Sequence, residues 1–382
     1  LERAPMNARV SFFVLLSLVH CSGFAAEIND SIDSIFSAID DVNSPGCTVG
    51  VIEGGELVHR AGYGLANIEL GVKLDGSHVH RMGSVSKQFT AMAVLLLAEE
   101  YELDLNDDIR EQLPELRSYG SEVSINAILG HVAGMGDYEL ITAEGSDSER
   151  VEGGLNLRSV AGGSFRLGNQ DYLTNEEFYS LVKTLGLKSP PLEKLEYSNM
   201  GYVILTLLVE TVSGESLREF SDKRIFKPLN MSNTFFSDDP VEIIPNRASG
   251  YRPQGEDFVT DMTNLFWVGD GGLHTNLDDM LKWDQNFYDS KLGQNPEAIM
   301  TLFLTPNSEL KDDGRLYANG QFVSEYDGAK IYSHSGGWLG TSTLYARIPN
   351  SGFSSVIMCN DVSQSPTEYW LRIVDEYLQP RL

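Results

Sequence analysis

Strand-like runs at both ends of the chain enclose a mainly helical middle, and this order constrains the fold most. CTVGVIE (47–53) and ELVHRAGYG (56–64) surround Gly54-Gly55, a hairpin signal. The far end returns to strands at Gln321–Ser324, Lys330–His334, Ser342–Ile348 and Phe353–Cys359. The economical arrangement is one antiparallel sheet built from both chain ends, flanked by helices, with a helical domain inserted. That is an α/β fold of the α+β type. Residues 27–83 and 291–382 supply the two parts of the sheet domain, and 84–290 the mainly helical part.

The helices read from their apolar spacing. Ile28, Ile32, Ile35 and Ile39 mark an amphipathic helix over 28–39. An apolar helix runs from Ser84 to about Glu100, and others cover 176–185, 200–212 and 276–288. The last spans Thr367–Leu378, with Trp370, Ile373, Val374, Tyr377 and Leu378 on one face. Between them lies a Gly/Ser-rich stretch, 144–170, long enough to be expected as a lid.

The chain has 382 residues and a net charge of −27, an acidity that repels phosphate backbones and anionic lipid headgroups. Nucleic acid is therefore not an expected partner. Ahead of the first helix, residues 1–5 read as an extension before Met6. Arg9, the apolar run Val10–Val19 and the small residues Ser22, Gly23, Ala25 and Ala26 read as a secretory signal peptide over 6–26. The apolar run is too short for a stable membrane anchor. A periplasmic or secreted protein is expected, in which Cys47 and Cys359 either pair or stay as buried thiols. His59, His78, His80 and His274 lack metal-ligand spacing, so they read as structural, and no cofactor is expected.

GxSxG, HExxH and GxxxxGKS are absent. Ser84-Val85-Ser86-Lys87 opens the apolar helix instead. Ser and Lys at i and i+3 share a helix face. The helix dipole and burial both disfavour the lysine's charge, which lets it activate the alcohol. SxxK recurs at Ser180…Lys183 and Ser308…Lys311, so the apolar helix behind Ser84 singles it out. Tyr197-Ser198-Asn199 supplies a phenol whose pKa a lysine can draw down from about 10, and an amide for substrate or base. This YxN also recurs, at Tyr317-Ala318-Asn319. His334-Ser335-Gly336-Gly337 ends a strand with a hydroxyl, an imidazole and room for substrate. The amides of Ser84 and Gly337 could form an oxyanion hole.

SxxK, YxN and H[S/T]G in this order resemble the serine β-lactamase and D-alanyl-D-alanine peptidase superfamily. The resemblance is to its class C β-lactamase-like branch of D-stereospecific peptidases and esterases. It covers about residues 44–360 and includes RMGSVSKQFTAMAVLLL (81–97), LEYSNMGYVILTLLVETVSG (195–214), GDGGLHTNLDDMLKW (269–283) and HSGGWLGTSTLYARIP (334–349). It implies an exported serine hydrolase that acts through an acyl-enzyme on a small-molecule or peptide substrate. Ser84 would be the nucleophile, with Lys87 and Tyr197 moving protons. Asn199, His334, Ser335, Gly336 and Gly337 would bind substrate. Two departures matter. His334 stands where β-lactamases carry Lys, which favours a peptidase or esterase over an efficient β-lactamase, with a β-lactamase or penicillin-binding DD-carboxypeptidase as the alternative. With an ordinary pKa near 6.5, His334 is expected to shape activity between pH 5 and 8. His131-Val132-Ala133-Gly134 replaces His-Thr-Ser-Gly, and His131 is expected to fix a turn beside the site. Trp338 is either a wall of the acyl pocket or a core residue. A catalytically silent binding protein on this fold would have little reason to bury Ser84, Lys87 and Tyr197.

Overall fold

The computed structural model describes residues 30–40, 42–101, 103–137, 175–263 and 266–378. The expected signal peptide and the 144–170 segment lie outside them. The N-terminal part supplies β1 (Cys47–Glu53), β2 (Glu56–Tyr63), β3 (Leu65–Asn67), β4 (Val72–Lys73) and β5 (His80–Arg81). The middle adds β6 (Phe235–Phe236), β7 (Tyr251–Gln254), β8 (Asp257–Thr260) and β9 (Leu273–Thr275). The C-terminal part supplies β10 (Leu316–Ala318), β11 (Gln321–Tyr326), β12 (Ala329–Trp338), β13 (Thr341–Ile348) and β14 (Phe353–Cys359).

Seven strands form one antiparallel sheet in the order β10-β11-β12-β13-β14-β1-β2. Both chain ends meet at the β14–β1 pair, in register from Cys47↔Cys359 to Glu53↔Phe353. Gly54 and Gly55, at φ 59° and 83°, turn β1 into β2 with the left-handed backbone a tight hairpin needs. Side chains alternate across the sheet. Val49, Val51, Leu344, Ala346, Ile348 and Ile357 pack with Ile32, Ile35 and Phe36 of α1 (30–36) and with the C-terminal Trp370 and Ile373. Tyr345, Val356 and Met358 face the opposite layer.

That layer is built on α2 (Lys87–Tyr101), whose first twelve residues are all buried, and on α3 (Asn199–Ser213). Phe89, Met92, Val94, Leu95, Leu96 and Leu97 each gain roughly 1.5–3 kcal/mol from leaving water. This burial fixes the helix at whose start the SxxK motif sits. Ser198 caps α3, accepting from Gly201 N at 3.0 Å, and Gly214 at φ 72° ends it.

Three findings differ from or refine the sequence expectation. The middle is less uniformly helical than expected, because its β6 and β9 join β5 in a small sheet. Strands of two or three residues are too short to print an alternating pattern. β12 also runs on through Trp338, four residues past His334. Its glycines are poor strand formers, but pairing with β13 carries them. Cys47 and Cys359 form a disulfide between adjacent strands, so the pairing alternative holds. Among the described residues no single helix is long and apolar enough to cross a membrane.

Candidate active site

Ser84 sits in a 3-10 turn, Gly83–Ser86, that feeds directly into α2. Side chains at i and i+3 eclipse in a 3-10 turn, so Lys87 lies against Ser84 more directly than in an α-helix. The turn is pinned from within: Ser86 Oγ donates to Gly83 O at 2.6 Å and accepts from Leu273 N at 3.1 Å. Gly83 is required by its backbone, at φ 52°. A Cβ there would also lie 2.8 Å from Gly337 N, so the turn is pressed against the glycines of β12.

Lys87 is fully buried and its ammonium has three acceptors. Nζ donates to Asn199 Oδ1 at 2.7 Å, to the Asp270 carbonyl at 2.7 Å and to Ser84 Oγ at 3.1 Å. Burial pulls its pKa down to about 8, against the charges of Asp270 and Asp137, which act to raise it. Asn199 is fixed at both ends, since its Nδ2 donates to Asp137 Oδ2 at 3.0 Å. Its amide is thus already engaged with the lysine. Capping of α3 falls to Ser198 instead.

Tyr197 is held between elements. Lys87 Nζ stands 4.8 Å above its ring centroid. His131 packs on it, centroids 4.3 Å apart, and grips the chain on both sides of it. The His131 carbonyl accepts from Glu196 N at 2.7 Å, and its Nδ1 accepts from Ser198 N at 3.2 Å. This is the turn-fixing role expected of His131, which takes the left-handed φ of 56°. The expected fall in the Tyr197 pKa is not found. Burial pushes it well above 10, and the nearby Ser84 hydroxyl only partly opposes this. A phenol shut away from water loses more by ionising than the Ser84 hydroxyl returns, and the charges of Asp270 and Asp137 add to the cost.

On β12 the pleat divides the third motif. His334 and Gly336 are buried, whereas Ser335 and Gly337 are exposed. A Cβ on Gly336 would fall 2.0 Å from the Met82 carbonyl, so only glycine lets β12 close on the nucleophile turn. One on Gly337 would meet nothing within 4 Å. His334 turns inward: Nε2 lies 3.0 Å from Tyr317 Oη and Nδ1 2.6 Å from the Ser335 carbonyl. Burial, helped by the charge of Lys87, holds its pKa down at about 3. It is therefore neutral throughout pH 5–8, which corrects the expectation that it titrates there. Trp338 is partly buried and donates from Nε1 to Thr263 Oγ1 at 3.2 Å.

The structure thus brings Ser84, Lys87, Tyr197, Asn199 and His334 together, with Gly336 and Gly337 alongside. It adds Asp137, Asp270 and Tyr317, which motif reading passed over. Tyr317 carried a signal, the repeated YxN, and Asp270 lies in the glycine-dense GDGG (269–272). The other SxxK copies stay apart: Lys183 pairs with Glu115 at 2.8 Å, and Ser308 Oγ accepts from Leu310 N at 3.1 Å. Among the described residues, the four remaining histidines have local partners. Tyr63 Oη meets His59, Asp75 meets His78, Thr48 meets His80 and the Gly272 carbonyl meets His274.

The family model described as Beta-lactamase matches residues 32–378. Penicillin-binding protein 4* of Bacillus subtilis (strain 168) is 25% identical over 355 residues, 88% of this chain and 72% of that protein. A D-aminopeptidase of Gluconobacter oxydans (strain 621H) is 25% identical over 323 residues, 84% of this chain and 56% of that protein. The chain therefore spans little more than half the length of the second relative. Among solved structures, EstCE1, described as a hydrolase with promiscuous acyltransferase activity, superposes with a TM-score of 0.74 at 20% identity. That match covers 92% of this chain and 98% of that one, and it speaks for the fold.

Proposed function

The chain belongs to the beta-lactamase family, and from that premise we propose a serine hydrolase acting through an acyl-enzyme on small esters or D-amino-acid peptides and amides. One observation carries this reading, the partner set of Lys87. Two of its three partners, Asn199 Oδ1 and the Asp270 carbonyl, can only accept. A neutral amine would keep an N–H on each of them and point its lone pair at the third partner, the Ser84 hydroxyl. With a pKa of about 8, that neutral form is accessible near physiological pH.

Ser84 Oγ then attacks the substrate carbonyl and gives its proton to Lys87. The Ser84 and Gly337 amides stabilise the oxyanion. Tyr197 keeps its proton because of its raised pKa, so its role is donor: it protonates the leaving group and is restored by Lys87. Water completes deacylation by the reverse path. Asn199 positions Lys87 first, and contacts substrate with its second N–H. A neutral His334 supplies no fixed positive charge for a β-lactam carboxylate, which favours ester or amide turnover over β-lactamase action. The signal-peptide reading of 6–26 and the disulfide support an exported protein.

The test is p-nitrophenyl butyrate hydrolysis by wild type beside Ser84→Ala, with burst kinetics. Turnover and burst are expected in wild type and neither in the variant. Equal rates in both would reject Ser84 as the nucleophile.

A further inference from the structure

A cluster of cationic side chains lies just upstream of the nucleophile. Arg81 on β5 and Arg247 line one cavity of about 40 Å³, with His80, His274, Asp239 and Thr263. That is space for roughly three water-sized centres. It admits a carboxylate. Two arginines against one aspartate leave this lining at a net +1, in a chain whose net charge is −27. The histidines add no charge. Burial holds both near pKa 3, and Arg81 and Arg247 push His274 in the same direction. Two nearby acids are held by another arginine. Glu242, the acid whose charge reaches Arg247, is gripped by Arg218 at 2.6 and 2.9 Å, and Asp238 is held by Arg218 at 3.0 Å.

The cavity also lies close to the active site. Arg81 precedes Ser84 by three residues, which span at most about 10–11 Å. Thr341 Oγ1, at the cavity's β13 side, donates to the Arg81 carbonyl at 2.9 Å. Trp338 of the site strand reaches Thr263 on the cavity wall. A diacid of four or five carbons bridges such a distance when an arginine side chain meets it.

We propose that this cavity is a subsite for a second carboxylate on the substrate's acyl part, so that the enzyme favours monoesters or monoamides of short dicarboxylic acids. Guanidinium groups present forked donors that match a carboxylate. The inference rests on the serine-hydrolase reading. It is tested with mono-p-nitrophenyl glutarate against p-nitrophenyl butyrate, using wild type, Ser84→Ala, Arg247→Gln and Arg247→Lys. The expected wild-type kcat/KM ratio favours glutarate by about ten-fold or more. It collapses towards one in Arg247→Gln, survives in part in Arg247→Lys, and shrinks as salt rises. A wild-type ratio near one, or a preference that persists in Arg247→Gln, overturns the subsite. If neither ester shows Ser84-dependent turnover, the hydrolase reading fails instead. Calorimetric binding of free glutarate, lost in Arg247→Gln, would then support the subsite by itself, and equal or absent binding would reject it.

Discussion

Tyr197-Ser198-Asn199 and Tyr317-Ala318-Asn319 share one pattern and meet in one aromatic cluster, their tyrosine centroids 6.5 Å apart. The chain nevertheless puts them to different uses. Asn199 opens α3, with its amide between Lys87 and Asp137. Asn319 sits in the β10–β11 turn at φ 45°. Its Nδ2 donates to the carbonyls of Leu302, Phe303 and Thr305 at 2.9, 3.3 and 3.4 Å. Its Oδ1 accepts from Asn307 Nδ2 at 2.9 Å. The Tyr197 phenol faces Ser84, while the Tyr317 phenol meets His334. The tripeptide is a set of donors and acceptors. The backbone under it decides whether they serve a reacting lysine or a turn.

The largest expected effect separates the tyrosines. Tyr197→Phe should lower kcat/KM for p-nitrophenyl butyrate about 10²–10⁴-fold, the usual worth of a positioned proton donor. Tyr317→Phe should cost less than about ten-fold, because its hydroxyl meets His334 rather than the reacting groups. Equal losses would erase the distinction. Next comes pH. Lys87 must lose its proton to act, so kcat/KM should rise with pH through an apparent pKa near 8. His334, held near 3, should add no limb between pH 5 and 7. A second limb near 6.5 would show that it titrates in the site after all.

The asparagines should separate in the opposite sense. Asn319→Ala removes several buried hydrogen bonds and strains a left-handed position, so denaturant titration should show a loss of roughly 2–4 kcal/mol. Asn199→Ala should lose mainly kcat/KM, with a smaller stability change. If Asn199→Ala proves the less stable protein, the assignment of roles reverses. Smallest of all, Lys183→Ala in the helical SxxK copy should leave kcat/KM within about two-fold, because it breaks only a surface ion pair. A large loss would mean that this copy touches the chemistry.

Much of this was legible in the chain. The strands 47–53 and 353–359 match the structure to the residue, because central strands covered on both faces read as short runs of apolar and small residues. Ser84 stood out because twelve buried residues follow its turn. The illegible parts share a cause. Asp137 and Asp270 reach Lys87 only through the fold, from positions 50 and 183 residues along the chain. The pKa values of Tyr197 and His334 depend on burial, and neither residue's neighbours in sequence reveal it.

From the chain alone, then, come the long strands and helices, the union of both ends in one sheet, and the serine that opens the core helix. These follow from local periodicity and from motif order, which travel with the chain. Only the tertiary fold settles that the Asn199 amide is spent on the lysine, that Cys47 pairs with Cys359, and that His334 is neutral. Those outcomes depend on contacts between residues more than a hundred positions apart, and on the loss of water that such contacts impose.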